Sequence, residues 1–415
     1  MSTFVENARA ATAALRDLFP ETPLQRNDFL SQRYDADIWL KREDLTPVRS
    51  YKIRGAFTAM RMVLARTPEQ SHFVCASAGN HAQGLAFACK HFGVKGTIFM
   101  PVTTPQQKIE KTRAFGGDNV QIRLIGDYFD QSLAAAQKFC ADEDAYFLAP
   151  YDDIDVILGQ STVAAEVVDQ LGRAPDVMLV PVGGGGLAAG TTSYMRAMKA
   201  DTSFRFVEPT GAASLTAAVA EHGPVTLNKV DGFVDGAAVA RIGRHNFDAL
   251  DWVSAGSVLR VPEDRLCATM VEVLNIEGIV LEPAGALSID ALQDVADQIR
   301  GKTVVCVISG GNFDFERLPE VKERAQRYRG LKKYFILRLP QRPGALRDFL
   351  MMLGPDDDVS RFEYLKKNAR NFGTILLGLE TTKRENFDIL LKRMTEGGFG
   401  YQDITENEML TSFLL

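Results

Sequence analysis

The sequence predicts a two-lobed α/β protein followed by a smaller α+β module, and three observations lead to that class. Between about Ile38 and Asn312, short continuous apolar runs alternate with amphipathic stretches, as strands of a parallel sheet covered on both faces require. Several of these runs end in glycine-containing turns that lead directly into helix-compatible segments. Past residue 330 the order becomes strand, helix, strand, strand, helix, strand, the split βαβ or ferredoxin-like arrangement. A chain of 415 residues, at roughly 150 per domain, has room for this division.

The elements follow in order. Residues 5–18 read as an amphipathic helix stopped by Pro20. Strands are expected at 71–77, 95–100, 120–126 and 145–150, with helices through 84–91, 105–115 and 127–140 between them. Later strands fall at 176–182, 204–209 and 303–311, and a helix at 188–199. Residues 318–333 are charged and helical, and look like a link. The tail then places strands at 333–340, 359–365, 373–380 and near 401–405, and helices at 343–353 and 385–398. There is no internal repeat and no low-complexity segment.

Composition narrows the class of partner. The chain is 46% hydrophobic and 24% charged, with a net charge of −6, so no global field draws it to nucleic acid or an anionic membrane. Five cysteines without a CxxC pair point to buried thiols in a reducing compartment. The N-terminus lacks a signal-peptide pattern and no run approaches the ~20 apolar residues of a membrane helix, so a cytoplasmic protein is expected. His72, His81, His91, His222 and His245 show neither ligand spacing nor a triad.

Four motifs sit where strands meet helices. Gly183, Gly184, Gly185 and Gly186, followed by Leu187, join an apolar run to a helix. Glycine lets backbone N–H groups close on an anion, and a helix start adds a favourable dipole, which suits a phosphate. The spacing is neither GxGxxG nor GxxxxGK[ST], so dinucleotide and P-loop sites lose their support, while a plain tight turn stays open. Lys52, in SYKIRGA, stands at a loop-to-helix junction. A lysine there is ordinarily a solvated amine, yet a buried one is the residue that makes Schiff bases with pyridoxal phosphate. In SAGNHAQG, Ser77 to His81 offer backbone N–H groups to a carboxylate and Asn80 an amide, or else simply cap a helix. Ser309, in ISGGN, ends a strand, where open α/β sheets place their ligands.

Taken together and in this order, KREDLTPVRSYKIRGA, SAGNHAQG, PVGGGGLAAG, DGAAV, LEPAGA and ISGGN resemble the fold-type II (tryptophan synthase β-like) pyridoxal 5'-phosphate (PLP) enzymes, and among them the biosynthetic threonine dehydratases (threonine ammonia-lyases). The tail resembles their ACT-like regulatory domain. The resemblance implies a catalytic domain over 1–320 with a smaller lobe at roughly 45–150 inserted in the larger one, a link at 321–332 and a regulatory module at 333–415. It implies that Lys52 is the Schiff-base lysine and that Asn80 faces the cofactor's 3'-oxygen. Ser77, Ala78, Gly79, Asn80 and His81 would hold the substrate carboxylate, Gly183 to Leu187 the phosphate, and Ser309 the pyridine nitrogen. Residues 235–239 and Glu282 would line the cleft.

The implied reaction turns L-threonine into 2-oxobutanoate and ammonia, the first step of isoleucine synthesis. Isoleucine would inhibit through the tail near Arg342 to Leu346, valine would compete with it, and the chain would form a homotetramer. Two departures sharpen this. Related serine racemases carry a second serine where this chain has Ala78, so racemisation should be minor. Their cation site matches Glu208, Ala212 and Ser214 here, and a serine in place of a carboxylate weakens a hard-cation site, so no divalent metal is expected. A catabolic serine/threonine dehydratase, a β-replacement synthase and a catalytically dead effector-binding protein remain the alternatives, the second disfavoured by GGGG in place of a threonine-containing loop.

Overall fold

Residues 3–365 and 372–407 are described by the structure, a computed structural model, and they pack as two units, Met1–Phe315 and Glu316–Leu415.

The first unit holds two sheets. The larger has six strands in the spatial order Leu24–Arg26, Asp37–Arg42, Thr303–Ile308, Val177–Pro181, Ser203–Pro209 and Val258–Val261. Only the edge pair Leu24–Arg26 with Asp37–Arg42 is antiparallel, and the other pairs are parallel. The smaller sheet is all parallel, in the order Val120–Leu124, Lys95–Met100, His72–Ala76 and Tyr146–Phe147. The central strands of both are buried along nearly their whole length, for example every residue of Thr303–Ile308 and Val177–Pro181. Val305 and Val307 pack with Met178, Val180 and Phe206 beneath the helices Ile154–Leu171 and Gly186–Ala197. In the smaller lobe Phe73, Cys75, Ile98 and Met100 pack on Met60, Ala82 and Leu85. None of the five cysteines is in a disulfide, and four are buried.

Most expected elements form, with informative shifts. The helix expected over 127–140 is Phe129–Glu143, because Gly126 takes φ 75° and the Gln131 side chain accepts from Asp127 N at 2.6 Å, delaying the helical turn. The strand expected at 145–150 contracts to Tyr146–Phe147, since the chain leaves the sheet to carry Pro150 toward the cleft. Strand Asp37–Arg42 and helix Ile154–Leu171 were not among the expected elements. The strand contains Lys41 and Arg42, both buried, which breaks the apolar run that marks the other strands.

Helices Lys52–Arg66 and Ile154–Leu171 cross at two glycines. A Cβ on Gly159 would strike the backbone of Arg54 and Gly55, and one on Gly55 would strike Gln160. This close approach brings the start of one helix near the segment that leads into the other. Asp153 caps the second helix by accepting from Asp155 N at 2.8 Å and Val156 N at 3.2 Å.

The second unit is a four-stranded antiparallel sheet in the order Asp358–Leu365, Phe372–Glu380, Lys332–Pro340, Gly400–Asp403. Helices Ala345–Leu350 and Glu385–Glu396 connect the strands, and Phe335, Leu337, Leu377, Phe349, Phe387 and Met394 form its core. The connectivity is the βαββαβ order expected. Helix Leu318–Tyr328, read above as a link, packs within this unit, where Glu323 accepts from the Tyr334 hydroxyl at 2.9 Å and pairs with Lys332.

Candidate active site

Three of the four motifs follow strands of the first unit: Ser77 follows His72–Ala76, the glycines follow Val177–Pro181, and Ser309 follows Thr303–Ile308. Lys52 opens helix Lys52–Arg66, and the loop before it is sewn to the Ser309 motif. Tyr51 N donates to Ser309 O at 3.1 Å, Gly311 N donates to Arg49 O at 2.9 Å, and Ser50 bridges Gly310. Arg49 takes φ 58°, a left-handed turn that a side chain adopts reluctantly and that these bonds hold in place. The two motifs, distant in sequence, thus form one rigid wall.

The Lys52 amine donates to Pro150 O at 2.8 Å and lies 5.5 Å and 5.9 Å from the ring centres of Tyr51 and Tyr151. Burial lowers its pKa to about 8, against the opposing pull of the Glu282 carboxylate. A neutral amine is therefore accessible near physiological pH, which a nucleophile or proton acceptor needs.

Asn80 is the first residue of helix Asn80–Phe92. Its Nδ2 donates to Glu282 Oε1 at 2.7 Å, and its Oδ1 accepts from Asn312 Nδ2 at 2.7 Å. Asn312 also donates to Val48 O at 2.8 Å, so this network joins all three walls of the cleft. Glu282 is buried, and burial, followed by the Asp235 charge, pushes its carboxyl up to about 7. A Cβ on Gly310 would run into Glu282 Oε1, which explains glycine there. Ser77, Ala78, Gly79 and Asn80 are half-buried, and Ser77 Oγ accepts from Gly79 N at 3.2 Å. His81 differs: its ring is buried against Leu148 O at 2.9 Å. Burial and the Lys52 charge lower its pKa to about 3, so the ring is neutral and only its backbone faces a ligand's charge.

The glycine run is explained position by position. A Cβ on Gly183 would meet the backbone of Ala237, and one on Gly184 would enter the Tyr151 ring. Gly185 takes φ 91° and caps helix Gly186–Ala197. Among the described residues, no N–H of Gly183, Gly184, Gly185, Gly186 or Leu187 has a protein acceptor. A row of free donors at the start of a twelve-residue helix fits a phosphate. Ser309 is 3% exposed and stands at the strand end, its carbonyl taken by Tyr51. The amine, the donor row and the hydroxyl that PLP needs are all present, and Tyr151 touches both the amine and the glycines.

Behind Lys52 lies a buried ionic hub. Arg54 is fully buried and donates to Glu43 at 2.6 and 2.8 Å and to Glu166 at 2.8 and 2.9 Å. Glu166 also takes Lys41 Nζ at 2.6 Å and Arg16. Sequence reading missed Pro150, Tyr151, Asn246 and this hub. Arg54 stood inside a quoted motif, so its proximity to Lys52 was the available signal. A carbonyl such as Pro150 O carries none.

Comparison with known proteins agrees with this geometry. The family described as pyridoxal-phosphate dependent enzyme matches residues 15–310, and the C-terminal regulatory domain of threonine dehydratase matches residues 323–414. The biosynthetic L-threonine dehydratase of Bacillus subtilis is 46% identical over 412 residues, covering 99% of this chain and 97% of its own. That of Halalkalibacterium halodurans is 41% identical over 412 residues, with 99% of both chains covered. Among solved structures, the processed form of threonine deaminase isoform 2 from Solanum lycopersicum superposes with a TM-score of 0.72 at 35% identity, covering 78% of this chain and 94% of that one.

Proposed function

The chain belongs to the pyridoxal-phosphate dependent enzyme family, and from that premise we propose that it is a biosynthetic threonine dehydratase, turning L-threonine into 2-oxobutanoate and ammonia in the first step of isoleucine synthesis. The observation that carries the reading is the meeting of Lys52, the Ser309 motif and the glycine run around one cleft, joined by Tyr51 and Tyr151.

Bound PLP supplies an electron sink for charge developing on the substrate's α-carbon. The chain's residues do the rest. Lys52 would hold the cofactor through its amine, and Nζ is the group placed to accept the substrate's α-proton. The N–H groups of Gly183, Gly184, Gly185, Gly186 and Leu187 would hold the phosphate, and Asn80, whose Nδ2 keeps a second hydrogen beside the one given to Glu282, would meet the 3'-oxygen. Within residues 77–81, Ser77 N is spent on Phe99 O and Gly79 N on Ser77 Oγ, so the N–H groups of Ala78, Asn80 and His81 are the ones that would hold the substrate carboxylate, with the helix Asn80–Phe92 adding its dipole. The Ser309 hydroxyl faces the pyridine nitrogen as a neutral partner, so it does not stabilise a protonated ring as a carboxylate would. Ala78 has no proton to deliver to the opposite face, which favours loss of the β-hydroxyl over racemisation.

The first unit, Met1–Phe315, serves as the catalytic domain, and the second, Glu316–Leu415, with helix Leu318–Tyr328 packed within it and not standing apart as a link, as the regulatory module. Isoleucine binds the module and favours a low-activity state, valine competes, and by reciprocity threonine weakens isoleucine binding. The chain assembles as a tetramer in the cytoplasm. Among the described residues no helix is long and apolar enough to cross a membrane.

The test is turnover of the full-length protein on L-threonine and L-serine, with and without isoleucine. Release of 2-oxobutanoate that isoleucine suppresses is the expected result. No 2-oxobutanoate would overturn the reading, and turnover indifferent to isoleucine would overturn its regulatory half.

A further inference from the structure

The glycine run does not orient itself, because glycine backbone is the least restrained in the chain. Two carbonyls of the run are nevertheless pinned from behind. Gly183 O accepts from Ser214 Oγ at 3.0 Å. Gly184 O accepts from Asn246 Nδ2 at 2.6 Å and from Gly243 N at 3.1 Å. The glycine run's peptides are trans, as are all those among the described residues, so across each planar peptide the N–H points opposite to its carbonyl. Fixing Gly183 O and Gly184 O on one side therefore aims the N–H groups of Gly184 and Gly185 to the other, where neither meets a protein acceptor.

Asn246 is an expensive way to hold a loop. It is fully buried, and its Oδ1 has no hydrogen-bond partner. A buried amide with an idle acceptor lowers stability relative to an apolar side chain of the same shape. Its amide cannot be turned round, since Oδ1 facing Gly184 O would set two acceptors against each other. The single bond to Gly184 O is what the polar side chain contributes at this position.

We infer that Asn246, seconded by Ser214, is a positioning residue for the cofactor's phosphate, holding the glycine peptides so that their N–H groups converge on it. The inference rests on the proposed reading of residues 183–187 as the phosphate cradle.

The experiment compares two cofactors on the full-length protein, pyridoxal phosphate and pyridoxal, which differ only in the phosphate. Asn246→Leu keeps the volume and removes the donor. It should weaken PLP about 10-fold while leaving pyridoxal affinity within about 3-fold, with the fold at least as stable. Ser214→Ala should show the same pattern at about 3-fold, and carries the test should the first variant fail to fold. The phosphorus resonance of bound PLP should shift in both. Equal weakening of PLP and pyridoxal, or no change in either, would overturn the inference. A wild-type protein that binds PLP no better than pyridoxal would overturn the cradle reading itself, whatever Asn246 does.

Discussion

The two units treat buried charge in opposite ways. The first buries Lys41, Glu43, Arg54, Glu166, Glu208 and Glu282. In the second, Lys332 is the only buried charged side chain among the described residues, and both carboxylates that meet it keep some contact with solvent. The core of the second unit is otherwise aliphatic and aromatic. Desolvation makes a buried ion network a poor source of net stability compared with well-packed apolar groups. Where such networks occur they are better understood as fixing geometry, and here they surround Lys52 and the cleft. The unit that holds the reactive groups tolerates a network of buried charge, and the second unit makes do with a single buried lysine paired at its edge.

The largest expected effect falls on the reactive amine. Lys52→Ala should abolish the visible absorption of lysine-bound cofactor and cut turnover by ~10³-fold or more, with little change in melting temperature. In the wild type, cofactor capture from the apo-protein should accelerate as pH rises through about 8, because only the neutral amine attacks. Capture that still accelerates up to the ordinary lysine range would contradict the burial argument. So would near-normal turnover by Lys52→Ala contradict the assignment.

A paired substitution sharpens the comparison between units. Arg54→Met takes the buried cation from Glu43 and one of three from Glu166, which keeps Lys41 and Arg16, and should cost ~3–5 kcal/mol. Phe349→Ala opens a cavity in the second unit and should cost a similar ~3–5 kcal/mol. The two respond differently to acid. Burial pushes the Glu166 carboxyl up, but the charge of Arg54, and after it that of Lys41, outweighs burial and holds the carboxyl well below its usual range, so removing Arg54 raises it. The Arg54→Met deficit should therefore shrink as pH falls from about 7 to about 4, through the carboxylate range, while the Phe349→Ala deficit stays constant. Denaturant melts of both variants at the two pH values decide it, and parallel behaviour would erase the contrast drawn here.

The smallest effect belongs to Glu282. Its folded-state carboxyl is raised from 4.5 to about 7, so between those values the folded protein binds the extra proton and loses stability as pH rises. Glu282→Gln should melt higher than wild type above pH about 7 and show no advantage below about 4.5. An advantage independent of pH would show that the carboxylate is not the source of the penalty.

The fold was legible wherever burial is continuous. Strands such as Thr303–Ile308 and Val177–Pro181 are apolar throughout, and a doubly covered parallel sheet leaves no other pattern. Strand Asp37–Arg42 was not legible, because Lys41 finds its partner Glu166 only in the folded protein. The same holds for the site. Ser309 and the glycines announce themselves by residue type at strand ends, and Lys52 at a loop-to-helix junction, whereas Tyr151 looks like any tyrosine until its ring is seen against Gly184. His81 was legible in position but not in behaviour, since only its burial against Leu148 makes it neutral.

By itself, then, the order of apolar runs, glycines and a few reactive residue types determined the α/β class, the ferredoxin-like tail and the family. These depend on local pattern, and local pattern is written along the chain. Tertiary structure alone decided that Pro150 O receives the Lys52 amine, that Asn80 shares its amide between Glu282 and Asn312, and that Asn246 turns the Gly184 peptide. The physical reason is that each of these is a hydrogen bond between groups far apart in the chain. A backbone carbonyl is the same at every position, so its partner is chosen by where the packed elements bring it.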